Sequence, residues 1–174
     1  MSYEINILVV NQEHPVQLPF ASSIILQNEV DNADFIGRYW KIWPFFSATK
    51  GILYSLLQEW LDDDYYGAYP FCDSFFETEE VPVVPPWIPE DRLTDMTPLI
   101  IKEHAICDVK RILRYLLETS PNGFILFQSR YQGYDTEVIM GTISIRQFFE
   151  YLENKQIMFN VCYIIGKDEN ENCC

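Results

Sequence analysis

Between residues 61 and 98 the chain changes character, and no other feature constrains its fold as much. Six of the ten prolines stand there: Pro70, Pro82, Pro85, Pro86, Pro89 and Pro98. In Val81-Pro82-Val83-Val84-Pro85-Pro86 the prolines fix φ and remove backbone donors, so the run favours extended or polyproline backbone and cannot continue a helix. A structureless loop of this length is uncommon in a compact domain unless it has a function. Its rings (Tyr65, Tyr66, Tyr69, Phe71, Phe75, Phe76 and Trp87) argue for an ordered excursion packed on the domain rather than a solvated linker.

Regular structure is expected on either side of it. Tyr3 to Val10 alternates at first and then runs apolar, as a central strand does. Residues 11–20 hold two prolines and read as a loop, and Ser22 to Val30 fits a strand or a short helix. From Ser47, a plausible N-cap, the residues Ile52, Leu53, Leu56, Leu57, Trp60 and Leu61 recur at helical spacing and predict a first helix. After Thr97-Pro98 a second helix is predicted, with Ile101, Ala105, Val109, Ile112, Leu113, Leu116 and Leu117 on one face, stopped by Pro121-Asn122-Gly123. Phe124 to Gln128 and Glu137 to Ile139 read as strands. Ser144 and Gln147 then form a capping-box pattern, with Ile143 and Phe148 at the staple positions around it, opening a short third helix, Ile145 to Asn154. Ile157 to Ile165 closes as a strand. This order predicts an α+β fold: a mixed β-sheet with about three helices packed on it. One domain is expected over residues 1–166, with the excursion at 61–98 and a flexible tail at 167–174.

The 174 residues carry 26 acidic and 12 basic side chains, a formal charge of −14, while 48% are apolar, enough for a sizeable core. The acid is unevenly placed. Residues 61–95 hold ten acidic side chains against one base, Arg92, a net charge of −9. Solubility needs no such concentration, and a negative field repels phosphates and attracts cationic partners. Asp62, Asp63 and Asp64 fall where the first helix is expected to end. There they oppose its dipole by about 0.3–1 kcal/mol each, unless the helix stops earlier and the triad forms an exposed turn.

Catalytic and metal readings find little to stand on. No G-x-G-x-x-G, Walker A, G-x-S-x-G or H-E-x-x-H pattern occurs. A calcium loop needs alternating oxygen ligands, a turn glycine and a terminal Glu at fixed spacing; here the aspartates are consecutive and no Glu lies at the right distance. His104 and Cys107, three apart on the second predicted helix with Asp108 beside them, lack any sign of an oxyanion site; a passive thiol and a partly exposed His are the expectation. Lys102, Lys110, Arg111 and Arg114 gather on that helix and are expected to serve as intramolecular ion-pair partners. No catalytic residue, metal site or cofactor is expected. The five cysteines are odd in number and include no C-x-x-C, which disfavours a disulfide framework or a structural zinc site and fits a reducing cytosol. Neither a secretory signal nor an apolar run of the roughly 18 residues that a span needs is visible, so no membrane is expected.

In its acidic, aromatic-rich segment 61–95, its α+β pattern, its size and its missing catalytic motifs, the chain resembles in general character the small acidic immunity proteins of bacterial toxin–immunity pairs, including those of contact-dependent growth inhibition. The resemblance implies a cytoplasmic, non-enzymatic protein that covers the basic active-site cleft of a cognate toxin, often a nuclease, without touching nucleic acid itself. On that reading Asp62, Asp63, Asp64, Glu77, Glu79 and Glu80 supply charge, while Tyr65, Tyr66, Tyr69 and Trp87 supply contact area. The alternative is an acidic adaptor or nucleic-acid mimic that binds a host DNA-binding protein.

Overall fold

The computed structural model describes residues 3–28, 40, 42–46, 48, 50–62, 65–69, 76–78, 97–131 and 138–168; at 3, 59–62, 65–69, 76–78 and 131 it describes the backbone alone. In chain order the elements are β1 (Tyr3–Val10), β2 (Ile25–Asn28), a 3-10 turn (Trp43–Phe45), β3 (Gly51–Asp62), β4 (Tyr65–Tyr69), β5 (Phe76–Thr78), β6 (Leu99–Ile101), α1 (Glu103–Thr119), β7 (Phe124–Tyr131), β8 (Val138–Ser144), α2 (Ile145–Glu153) and β9 (Val161–Gly166). The main sheet runs β2-β3-β1-β7-β9-β8, with β4 added on β3, and β5 pairs with β6 in a separate two-stranded sheet. Its strands pair antiparallel except β8 and β9, which lie parallel across the β8–α2–β9 crossover. The fold is α+β with a mixed sheet, as expected. Among the described residues it has two α-helices rather than about three.

The missing helix is β3. Residues 51–62 form a twelve-residue strand, not the helix that the spacing of Ile52, Leu53, Leu56 and Leu57 predicts. The reason lies in its place between β1 and β2, where both faces of the strand are covered. Ile52, Tyr54 and Leu56 enter the core on one face of the sheet, and Leu53 enters the core on the other. A strand buried on both sides loses its period of two and reads as a continuous apolar run, which helical spacing fits equally well. Ser47, its expected cap, lies outside the described residues.

Both helices pack on one face of the sheet. Ala105, Val109, Ile112, Leu113 and Leu116 of α1 join Phe148 and Leu152 of α2 against Ile5, Ile7, Phe127 and Tyr163. Phe148 sits edge-on to Phe127 at 5.0 Å and to Tyr163 at 5.5 Å between ring centroids, a geometry aromatic quadrupoles favour. The Tyr163 hydroxyl accepts the Met158 N–H at 2.8 Å, and burial pushes its pKa well up. On the opposite face Trp40, Ile42 and Trp43 cover Leu8, Val10, Leu53, Leu126 and Cys162.

The elements after residue 98 fall close to their predicted places. Leu99–Ile101 is a strand, so Ile101 belongs to β6 and α1 starts at Glu103. The closing strand begins at Val161 rather than Ile157. The Ser144 Oγ accepts the Gln147 N–H at 3.2 Å, so half of the capping box forms; the Gln147 amide turns forward to Tyr151 Oη at 3.1 Å instead of back to the cap. Ile143 and Phe148 share the same buried cluster, as a staple requires. Both ends of the sheet are poor templates for further pairing: β2 has four residues, and β8 is broken by a bulge between Ile139 and Gly141, where Gly141 takes φ 90°.

Candidate functional site

Four of the ten residues singled out from sequence come together on one hairpin. β3 pairs with β1 through residues 51–55 and with β2 through 54–57, then continues past both. Its last five residues, Gln58 to Asp62, pair with β4, in the register Gln58↔Tyr69, Leu61↔Tyr66 and Asp62↔Tyr65. The ribbon therefore begins where the pairings with β1 and β2 end. It carries Asp62 directly opposite Tyr65, with Tyr66 and Tyr69 farther along the same strand. Glu77 stands apart on β5, opposite Ile100 of β6. Asp63, Asp64, Glu79, Glu80 and Trp87 lie outside the described residues. The helix-dipole argument for the aspartates falls away, because Asp62 ends a strand.

A second polar feature crosses the face of the sheet opposite the helices. Directly paired residues share a face, so Gln27↔Ser55, Ser55↔Asn6, Asn6↔Gln128 and Gln128↔Cys162 form one lateral row over five strands. Ser55 Oγ donates to Asn6 Oδ1 at 2.8 Å, and Asn6 Nδ2 donates to Glu4 Oε2 at 3.3 Å. Asn6 and Gln128 are each only 4% exposed, and Gln128 Oε1 is shielded from solvent without a hydrogen-bond partner among the described residues. One row out, Glu4 pairs in register with Arg130. Sequence reading passed over this row. Its signal is a matched switch: the residues of β1 on this face change from Leu8 to Asn6 and Glu4, and those of antiparallel β7 from Leu126 to Gln128 and Arg130.

No protein-family model, characterised protein or solved structure matches this chain. What the hairpin and the polar row can do follows from their own chemistry. Among the described residues no three His, Cys, Asp or Glu side chains gather as a metal site would need, and no helix is long and apolar enough to cross a membrane.

His104 and Cys107 are both exposed, and the Asp108 carboxylate is taken up elsewhere. Asp108 Oδ2 accepts both the N–H and the Oγ of Ser23 at 2.8 Å, tying the segment before β2 to α1. The backbone donor of Ser23 above all, helped by the serine hydroxyls and Arg111, holds this carboxyl below the usual range. Of the bases expected to form internal ion pairs, Lys110 bonds Glu153 and Arg111 approaches Asp108 at 3.6 Å. Arg114 instead lies over the Phe149 ring, 5.1 Å from its centroid.

Proposed function

We propose that this chain is a toxin-neutralising immunity protein that works by binding, with the β3–β4 hairpin as its docking arm, and that its partner is a protein with a basic active-site cleft, such as a nuclease toxin. One observation carries this reading: the strand that ends in Asp62 pairs with a strand holding three tyrosines, and continues past its pairings with β1 and β2. The surrounding segment 61–95 has a net charge of −9. An acidic arm raises the rate of encounter with a cationic surface, and tyrosines provide large contact area at little conformational cost. Carboxylates standing where phosphates would bind block such a cleft without any chemistry, so the protein acts in the cytosol, stoichiometrically, and without catalysis. Neither nucleic acid nor a membrane enters this reading.

The direct test is co-expression with the product of the reading frame immediately upstream, which this proposal takes to be the toxin. Growth should be arrested by that product alone and restored when this chain is present. Arrest that persists at equal expression of the two proteins would overturn the proposal.

A further inference from the structure

A groove of about 500 Å³ lies between α1 and α2, in the size range of small-molecule sites. Its position follows from the parallel pairing of β8 with β9. β8 and β9 end side by side, Ser144 opposite Gly166, and the residues that follow each of them, Ile145-Arg146 and Lys167-Asp168, form one end of the groove. Crevices open at the carboxyl ends of parallel strands because the chain leaves the sheet there in diverging directions. Arg146 also stands in the first turn of α2, where the helix dipole favours an anion.

The lining is unusual for so acidic a protein. Lys110, Arg114, Arg146 and Lys167 all border the groove, four of the twelve bases in the chain, facing Glu118, Glu150, Glu153 and Asp168. Lys110 and Glu153 neutralise each other. Among the described residues Arg114, Arg146 and Lys167 have no carboxylate within ion-pair distance. Asp168 Oδ1 is shielded from solvent yet has no hydrogen-bond partner among the described residues, a cost that a ligand's donor would remove. Between the charges lie Leu117, Ile145 and Phe149, all buried, with Lys110 and Arg114 over the Phe149 ring.

A purely anionic ligand would meet Glu118, Glu150 and Asp168; a purely cationic one would meet Arg114, Arg146 and Lys167, which have no carboxylate partner among the described residues. We infer that the groove binds a small zwitterion of the amino-acid class, its carboxylate toward Arg146 and Lys167 and its ammonium toward Asp168. The site is separate from the β3–β4 hairpin and does not depend on the immunity reading.

Amide chemical shifts of the full chain, followed on addition of L-phenylalanine as the probe, test this. Saturable shifts at Arg146, Lys167 and Asp168 are expected in the millimolar range. Binding should be at least about tenfold weaker, a loss of about 1.4 kcal/mol, for L-phenylalaninamide, which lacks the carboxylate, and for N-acetyl-L-phenylalanine, which lacks the ammonium. Arg146→Gln and Lys167→Gln should weaken binding of the unmodified amino acid by a similar factor, with the remaining spectrum unchanged. Absence of saturable shifts would overturn the inference. So would equal binding of either blocked form, which would make the groove a peptide-terminus or cation site, or equal binding of inorganic phosphate, which would make it a simple anion site.

Discussion

Tyr54 is the residue at which the strand nature of β3 can be tested most sharply. Its ring is fully buried beneath the helices, and its hydroxyl holds the segment after β1 to the sheet. The Val16 N–H donates to Tyr54 Oη at 2.9 Å, and Tyr54 Oη donates to Gln12 Oε1 at 2.6 Å. Gln12 is 5% exposed, so in Tyr54→Phe its carbonyl loses a partner that water cannot replace. That acceptor costs about 1–3 kcal/mol, and the half-buried Val16 bond about 1 kcal/mol more, giving about 2–4 kcal/mol in total. With a urea m-value of about 2 kcal/mol/M, the unfolding midpoint should fall by about 1–2 M at constant m. Burial also raises the Tyr54 pKa. A phenol whose folded pKa exceeds its unfolded one contributes stability that is complete below about pH 10 and is lost as pH rises through the folded value. The deficit of the Phe variant should therefore narrow in alkali. An unchanged midpoint at neutral pH would refute the placement of Tyr54, and with it the strand.

Other consequences concern single residues. Asp108→Ala removes both bonds to Ser23 and should destabilise by about 1–3 kcal/mol at pH 7. Because the folded pKa of Asp108 is depressed, its contribution is present above about pH 4 and lost as pH falls through the folded value, so calorimetry should find the two proteins converging in acid. Ser144→Ala removes the α2 cap and should lower stability by about 1 kcal/mol in urea titration, with Ser144→Asp close to wild type. Gln128→Met replaces an amide whose buried oxygen has no partner among the described residues by an apolar chain of similar shape and should raise the unfolding midpoint. A fall of more than about 1 kcal/mol would show that the amide is satisfied.

The sequence was most legible where one local rule acted alone. β1 has the predicted bounds, Tyr3 to Val10, and α2 starts at the predicted Ser144 cap. At β3 two rules competed: the Ile52, Leu53, Leu56, Leu57 spacing belongs equally to a helix and to a strand covered on both faces, and only the neighbouring strands decide. Leu99 to Ile101 was absorbed into the helical pattern of α1 because its partner, β5, lies more than 20 residues earlier. The hairpin was legible as a concentration of acid and tyrosine but not as a hairpin, since that depends on β3 being a strand. The polar row could not be found before pairing was known, because only the antiparallel register brings Asn6 beside Gln128.

On the proposed function, the acid of segment 61–95 steers this protein onto a basic partner. Stopped-flow association with the upstream-encoded protein, over a series of salt concentrations, tests it with Asp62→Asn, Asp63→Asn and Asp64→Asn combined. The variant should associate about tenfold more slowly than wild type at low salt, with the two converging at high salt as screening removes the advantage. Equal rates at every salt concentration, or no binding by the wild-type chain, would contradict it.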